Sequence, residues 1–397
     1  MKLRNTVLQN FVITKMSSLP KCRHYQVKQV CRDARVGFGI LVVLFNLNPM
    51  RVALIAPPFI AVPPKKYGGT ELFIAELAQG LQRQGVDVIV YTNGQSTVDA
   101  PTRWLYPEGE WPLKHEVEAS LKGLNHFAWA IKEATGEADL IHVNSAPGLS
   151  FSRFTEVPVV HTVHHAFDQS LTEFYQSYPD VSYVTISDFQ REKLTMPNMR
   201  TIHHGIDPLL YTVPDGKREY LSFLGRIAPA KGTHLAVDIA KKSGIPLKIA
   251  GEVQPIYKQY WETMVKPQVD GKFIEYVGEV GMEDKVELLG KSRAMLFPVQ
   301  WDEPFGLVMI EAMACGTPVL AMPGGSVGEV IKEGVSGNVR KTAAELGECA
   351  RNLDIPAPIV RGYMEEFFSM DRMTRDYISL YSEILHDGVA ESEQIVA

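Results

Sequence analysis

Two glutamates interrupt a segment that is otherwise apolar. Residues 302–316 read D-E-P-F-G-L-V-M-I-E-A-M-A-C-G, with Glu303 and Glu311 separated by seven residues. A carboxylate inside an apolar helix is costly without a partner, so each should meet a donor or a ligand. Pro304 marks a first helical position, and Gly316 before Thr317 and Pro318 marks a stop. On that reading Glu303 sits at the mouth of the helix. Helical geometry turns Glu311 by about 80° from it, so both can address one elongated ligand. Carboxylates accept from hydroxyls, and two of them can hold two different sugars.

Two cations stand in a comparable place upstream. L-S-F-L-G-R-I-A-P-A-K-G-T-H puts Arg226 after a strand and Lys231 five residues on, before a helix starting near Thr233. At the ligand-binding end of a parallel sheet such a pair makes a diphosphate clamp, Arg as a planar fork and Lys as a point charge. The alternative is two solvated loop charges. Tyr67-Gly68-Gly69-Thr70 lies in the first strand-to-helix turn. Paired glycines let backbone N–H groups approach an anion, with Thr70 placed to cap the helix; a plain tight turn is the competing reading. There is no G-x-G-x-x-G and no Walker lysine, which removes support for NAD and P-loop ATP chemistry. His161, His164 and His165 are close in sequence, but a strand running into a loop splays them, so His161 and His165 read as structural and no metal site is expected. Glu329 reads as a helix cap.

The elements that must position these residues follow from periodicity. The chain has 397 residues, 45% hydrophobic and 22% charged, an ordinary globular composition with room for two domains. Short β-rich runs alternate with amphipathic ones from residue 50. Strands are expected at 52–56, 86–91, 140–143, 157–163 and 183–186, with helices such as 71–84 and 116–134 between them. A second set follows at 220–224, 247–250, 273–277, 294–298 and 318–321. Continuous apolar strands separated by helices argue for parallel sheets covered on both faces. Residues 207–219 lose the periodicity and read as the linker. A helical tail at 361–385 carries Tyr363, Phe367, Phe368, Tyr377 and Tyr381, apolar surface expected to pack back onto the first domain.

Residues 1–49 differ from the rest. They hold eight Lys/Arg and one acid, Asp33, and their apolar run at 37–45 precedes N-L-N-P-M-R rather than a small-residue cleavage site. Two readings stand: a membrane-facing or targeting tail, or an extension upstream of Met50, where M-R-V-A-L-I-A-P-P reads as a complete first strand. The second is favoured. The remainder is acidic, which argues against a nucleic-acid partner. Cys22, Cys31, Cys315 and Cys349 form no metal or disulfide pattern, so a reducing, cytoplasmic location is expected. No apolar run reaches the roughly 18 to 20 residues of a membrane-spanning helix, leaving peripheral contact with the inner membrane face as the most that is expected.

The block E-P-F-G-L-V-M-I-E-A-M-A-C-G-T-P-V-L-A, together with F-L-G-R-I-A-P-A-K-G, Y-V-G-E-V and P-G-G-S-V-G-E-V-I, resembles the family 4 retaining glycosyltransferases of GT-B fold. Y-G-G-T-E, P-V-V-H-T-V-H-H, T-I-S-D-F and H-H-G-I-D match in the same order, and the likeness covers nearly all of 50–385. It implies an α/β GT-B architecture: two doubly wound Rossmann-like domains facing each other across a cleft, an acceptor domain at 50–212, a nucleotide-sugar domain at 213–375, and a C-terminal helix and tail at 376–397. It also implies roles. Glu303 would hold the donor sugar near its anomeric carbon and Glu311 the ribose. Arg226 and Lys231 would neutralise the diphosphate, with Gly68 and Gly69 contacting phosphate from the opposite domain. His164 would approach the donor sugar or the acceptor, and Phe305, Gly306 and Leu307 would contact sugar or phosphate through their backbone. The implied reaction moves a hexose from a UDP- or GDP-linked donor to a hydroxyl of a glycan, lipid-linked or small-molecule acceptor, with neither metal nor other cofactor. Val327-Gly328 departs from the family pattern, in a place that bears on the sugar pocket. Alternatives are a nucleotide-sugar 2-epimerase of the same fold and a non-catalytic nucleotide-sugar or glycan-binding protein.

Overall fold

The computed structural model describes residues 25–27, 45–47, 49–66, 68–113 and 115–395. Residues 1–50 form one unit and 51–397 another. In the first, β1 (Tyr25–Val27) pairs antiparallel with β2 (Phe45–Leu47). The reading of 1–49 as an extension lies for the most part outside the described residues, as do Cys22, Cys31 and Tyr67.

The second unit holds two sheets. One is built from β3 (Arg51–Ile55), β4 (Asp87–Thr92), β5 (Thr102–Trp104), β6 (Leu140–Val143), β7 (Val159–Val163), β8 (Ser182–Thr185) and β9 (Met199–Thr201), in the order β5-β4-β3-β6-β7-β8-β9. The other is built from β10 (Tyr220–Leu224), β11 (Leu247–Ala250), β12 (Ile274–Gly278), β13 (Ser292–Phe297), β14 (Val319–Ala321) and β15 (Gly337–Val339), in the order β12-β11-β10-β13-β14-β15. Every pairing in both is parallel. Central strands such as β6 and β7 are buried at each position, as strands covered on both faces require. In each sheet the order reverses beside the first strand, between β3 and β6 and between β10 and β13. That crevice, at the carboxyl ends of the strands, is where open α/β sheets bind ligands.

The ten expected strands are all present. In the second unit three more, β5, β9 and β15, were not expected, nor were β1 and β2 in the first; β5, β9 and β15 each have three residues and lie at a sheet edge. An edge strand has one neighbour and little burial, so it needs no apolar run to mark it.

The helices that matter below are α1 (Gly69–Arg83), α2 (Glu116–Glu137), α3 (Asp188–Lys193), α4 (Thr233–Ser243), α5 (Met282–Gly290), α6 (Leu307–Ala314), α7 (Ala357–Phe368) and α8 (Met370–Ile395). The tail expected as one helix over 361–385 is thus two, broken at Ser369, which is extended. The break is fixed by the linker: Ile206 N donates to Phe368 O (3.0 Å) and Met370 N to Ile206 O (2.8 Å). The chain therefore crosses back at Ser369, ahead of the boundary expected at 376. Beyond it α8 docks on the first domain. Tyr381 Oη lies 2.7 Å from His142 Nδ1 and Tyr377 Oη 2.8 Å from Thr162 Oγ1, so both tyrosines bury their hydroxyls against β6 and β7.

The linker is also gripped from α1. Glu76 accepts from Asp207 N (2.7 Å), and Arg83 pairs with the Asp207 carboxylate (2.8 Å). Glu329 does cap a helix, but one of the facing domain: its two oxygens accept from Asp188 N and Phe189 N at the start of α3, each at 2.7 Å, and His203 Nε2 lies 3.0 Å away.

Close approach of α1 and α8 sets a test. A Cβ at Gly80 would stand 2.0 Å from Thr374 Oγ1 and 3.1 Å from its Cβ. In a free helix Gly→Ala is favourable by about 1 kcal/mol. Here Gly80→Ala should instead destabilise by about 1 to 3 kcal/mol through overpacking, and adding Thr374→Ala should restore part of the loss. Chemical denaturation of the two variants checks both signs.

Candidate active site

A cavity of about 650 Å³ lies between the carboxyl ends of the two sheets. Gly68, Gly69 and His164 line it from the first domain, and Arg226, Lys231, Glu303, Phe305, Gly306, Leu307 and Glu311 from the second. All ten residues singled out in the sequence therefore face one cleft.

The two glutamates answer the question their surroundings pose. Glu303 Oε2 accepts from Lys231 Nζ at 2.5 Å and from Trp301 Nε1–H at 2.9 Å. Glu311 Oε1 accepts from Lys285 Nζ and from the Tyr211 hydroxyl, the latter at 3.1 Å. Each lysine also lies near its partner's ring, Lys231 4.8 Å from the Trp301 centroid and Lys285 5.9 Å from that of Tyr211. Both carboxylates are thus held through one oxygen by a lysine and an aromatic X–H donor. Among the described residues, Glu303 Oε1 and Glu311 Oε2 take no hydrogen bond, which leaves one acceptor on each for whatever enters the cleft.

The local backbone differs from the expectation at two points. The helix begins at Leu307, not Pro304, with Gly306 before it in the left-handed region at φ 81°. Glu303 consequently sits in the preceding loop, and the 80° relation does not apply; the loop, rather than one helix, brings the pair to the same cleft. A Cβ at 306 would meet Met309 Cε at 2.8 Å and Phe297 Cζ at 3.0 Å, so glycine is needed there on two grounds. At the first turn the cap of α1 is Gly68, at φ 147°, without a side-chain bond from Thr70. A Cβ there would stand 2.9 Å from Glu71 Oε2. Val327 is buried in the core of its domain and, like Gly328, does not line the cleft.

Arg226 is a cation of the site with no ion pair among the described residues. Its Nε is buried without a hydrogen bond, and its guanidinium has no carboxylate partner among the described residues. His164 is oriented by Asn144: Asn144 Nδ2 donates to Ile55 O and His142 O, so its Oδ1 receives His164 Nε2–H at 3.0 Å. Burial, with His204 next in weight, holds the His164 pKa well below the usual histidine range. The ring is therefore neutral, with the Nδ1 lone pair available. His204 stacks on it at 5.7 Å and also lines the cleft.

Sequence reading missed Lys285, Trp301, Tyr211, His204 and Glu76. His204 lies in the H-H-G-I-D motif that was noted without a role. Lys285 carried no local signal, since one lysine on an amphipathic helix is ordinary. For metal ligation, Asp188, His203 and Glu329 place ligand atoms within 4.8 Å of one another. Glu329 accepts from two backbone N–H groups at the start of α3 and lies 3.0 Å from His203 Nε2, contacts that give it a capping role. Trp104 and Trp111 are both exposed.

Glu76 gives the cleft a pH dependence. Burial pushes its pKa up to about 8, the Asp207 N–H offsetting only part of this. A native carboxyl that keeps its proton while the unfolded one releases it destabilises the fold increasingly as pH rises from the ordinary carboxylate range to about 8. Burial moves His142, His161 and His204 the other way, down to about 3, so their contribution is lost as pH falls below the ordinary histidine range. Thermal melts from pH 5 to 9 should therefore show the Glu76→Gln variant gaining on the parent as pH rises to about 8 and no further; a gap independent of pH would contradict the assignment.

Comparison with known proteins agrees with this geometry. The family "Glycosyltransferase Family 4" matches residues 67–209 and "Glycosyl transferases group 1" residues 212–351. D-inositol 3-phosphate glycosyltransferase of Mycolicibacterium paratuberculosis is 24% identical over 377 residues, covering 78% of this chain and 82% of that protein. Among solved structures, sucrose-phosphate synthase of Thermosynechococcus elongatus superposes with TM-score 0.70 at 19% identity, covering 85% of this chain and 100% of its own. Anabaena Alr3699/HepE in complex with UDP and glucose gives 0.67 at 18%, covering 84% and 100%. With both matched regions falling one on each sheet and the cleft between them, the chain belongs to the family 4 glycosyltransferases, of GT-B fold.

Proposed function

We propose that the protein is a retaining hexosyltransferase that moves a hexose from a UDP- or GDP-linked donor to an acceptor hydroxyl without a metal. The observation that carries this is the pair of half-anchored glutamates beside Arg226. Arg226 and the remaining N–H groups of Lys231 line the same cleft as Glu303 Oε1 and Glu311 Oε2, which supports assigning the cations to a diphosphate and the carboxylates to a sugar and a ribose. The first turn of α1, with Gly68 and Gly69, approaches the same region from the opposite domain.

As the sugar–phosphate bond breaks, negative charge grows on the phosphate and positive charge on the ring. Fixed cations stabilise the first where it develops. The acceptor hydroxyl attacks from the face the phosphate leaves, and a phosphate oxygen takes its proton, so configuration is kept. Double displacement would need a carboxylate under the anomeric carbon; Glu303 is tied by Lys231 and Trp301 in a binding role. Neutral His164 offers Nδ1 to a hydroxyl of donor or acceptor. The acceptor enters from the first domain, past Lys65 and Lys66, the latter paired with Glu279 across the cleft mouth at 3.3 Å.

Turnover of UDP- and GDP-linked glucose and mannose, followed by nucleotide release in the presence of an acceptor panel, tests the reading. Lys231→Ala and Arg226→Ala should each cost about 2 to 4 kcal/mol of transition-state stabilisation, roughly 30- to 1,000-fold in kcat. Activity should persist in EDTA, and proton NMR of the product should show the donor's anomeric configuration. An inverted product would overturn the mechanism, and an altered donor sugar released without any acceptor would identify an epimerase instead.

A further inference from the structure

His203 and His204 are consecutive but line different cavities. His204 lines the active-site cleft, whereas His203 lines a second cavity of about 460 Å³. That volume falls within the roughly 300 to 1,000 Å³ of small-molecule sites. The linker segment is the wall between the two, with the Phe305 ring 6.0 Å from that of His203 and 5.0 Å from that of His204. To the second cavity the first domain contributes α3 and β9, the second domain Glu329 and α7, and α8 its first turns.

Its lining is balanced in charge. Arg191, Arg200 and Arg372 stand with Asp188, Glu329 and Asp376. Some of these groups are committed: Arg372 pairs with Asp376 at 2.8 Å, Arg200 with Glu383 at 2.6 Å, and Glu329 caps α3. Others are not. Among the described residues the Arg191 guanidinium and the Asp188 carboxylate have no ion pair or hydrogen bond, Tyr363 Oη has no hydrogen bond, and Arg372 Nε is buried without an acceptor. Unused donors and acceptors thus come together from α3, α7 and α8. Beside them lie Tyr363 and Phe367, one turn apart on α7 with ring centroids 4.9 Å apart, and Phe367 is 43% exposed.

This combination selects a class of ligand. A bare anion would meet three carboxylates and a bare cation three guanidinium groups, so neither gains from the whole lining. A hydroxyl gives and takes a hydrogen bond at once, and so pairs with a carboxylate and a guanidinium together. An aromatic face receives the C–H side of a sugar ring through dispersion. A neutral saccharide presents both surfaces.

We propose that this cavity is a second saccharide-binding site, separate from the cleft, in which a neutral sugar lays its C–H face on Phe367 and Tyr363 and its hydroxyls among Asp188, Arg191 and Arg372 Nε. The site stands independently of the donor assigned to the cleft.

Ligand-observed NMR titrations of the full chain with glucose, mannose, sucrose and maltose test it, with inorganic phosphate as the anionic control. At least one sugar should bind the parent. Phe367→Ala and Arg191→Ala alter exposed side chains, so the fold is not at stake, and each should weaken that binding about 3- to 10-fold. Glu303→Ala, in the cleft, should leave it unchanged. Sugar binding that Glu303→Ala removes and the other two variants leave intact would return the sugar to the cleft and overturn the second site. Phosphate binding more tightly than any sugar, and lost with Arg191→Ala, would make the cavity an anion site instead. Absence of binding of every sugar by the parent would overturn the saccharide assignment.

Discussion

Everything in the cleft depends on two buried carboxylates being held through one oxygen and left open through the other. Burying a carboxylate is unfavourable, and an ion pair only partly offsets the cost unless further hydrogen bonds satisfy it. Glu303 and Glu311 meet that condition in the same way, by a lysine and an aromatic X–H donor on a single oxygen. The arrangement gives each of these carboxylates a lysine, while Arg226 has no carboxylate partner among the described residues. A diphosphate entering such a site meets charge that needs no rearrangement to receive it, the condition under which electrostatic stabilisation is most effective.

These side chains stay in place because glycines allow the backbone to run close by. Gly306 turns the chain from the Glu303 loop into α6. Gly232, at φ 72° and with Pro298 O only 1.9 Å from where a Cβ would stand, lets the Lys231 turn lie against the end of β13. The two domains are tied through the linker, where Glu76 and Arg83 hold Asp207 and the extended Ser369 pairs with Ile206. The segment that carries His204 into the cleft is therefore the one that sets how the domains meet.

Much of this was legible in the sequence, because it came from residues whose surroundings contradict their chemistry. Glu303 and Glu311 lie in an apolar run, and Arg226, Lys231, Gly68 and Gly69 lie where parallel sheets bind ligands; all face one cavity. Buried central strands were marked by continuous apolar runs, whereas β5, β9 and β15 sit at edges and left no such mark. What could not be read were partners distant in sequence. Lys285 lies 26 positions from Glu311 and Tyr211 100 positions, and both meet it only once the second sheet is folded. The start of α6 was misplaced because Pro304 mimics a first helical residue, while the left-handed Gly306 delays the helix by three positions.

The central claim is that this cleft receives a nucleoside diphosphate on Arg226 and Lys231. The most direct measurement is a structure of the protein crystallised with UDP or GDP, solved for the parent and for Arg226→Gln. The account predicts the diphosphate within hydrogen-bond distance of the Arg226 guanidinium and Lys231 Nζ, the ribose beside Glu311, and an empty cleft in the variant under the same conditions. A nucleotide bound elsewhere, or held in the cleft equally in both proteins with its phosphates away from Arg226, would contradict it.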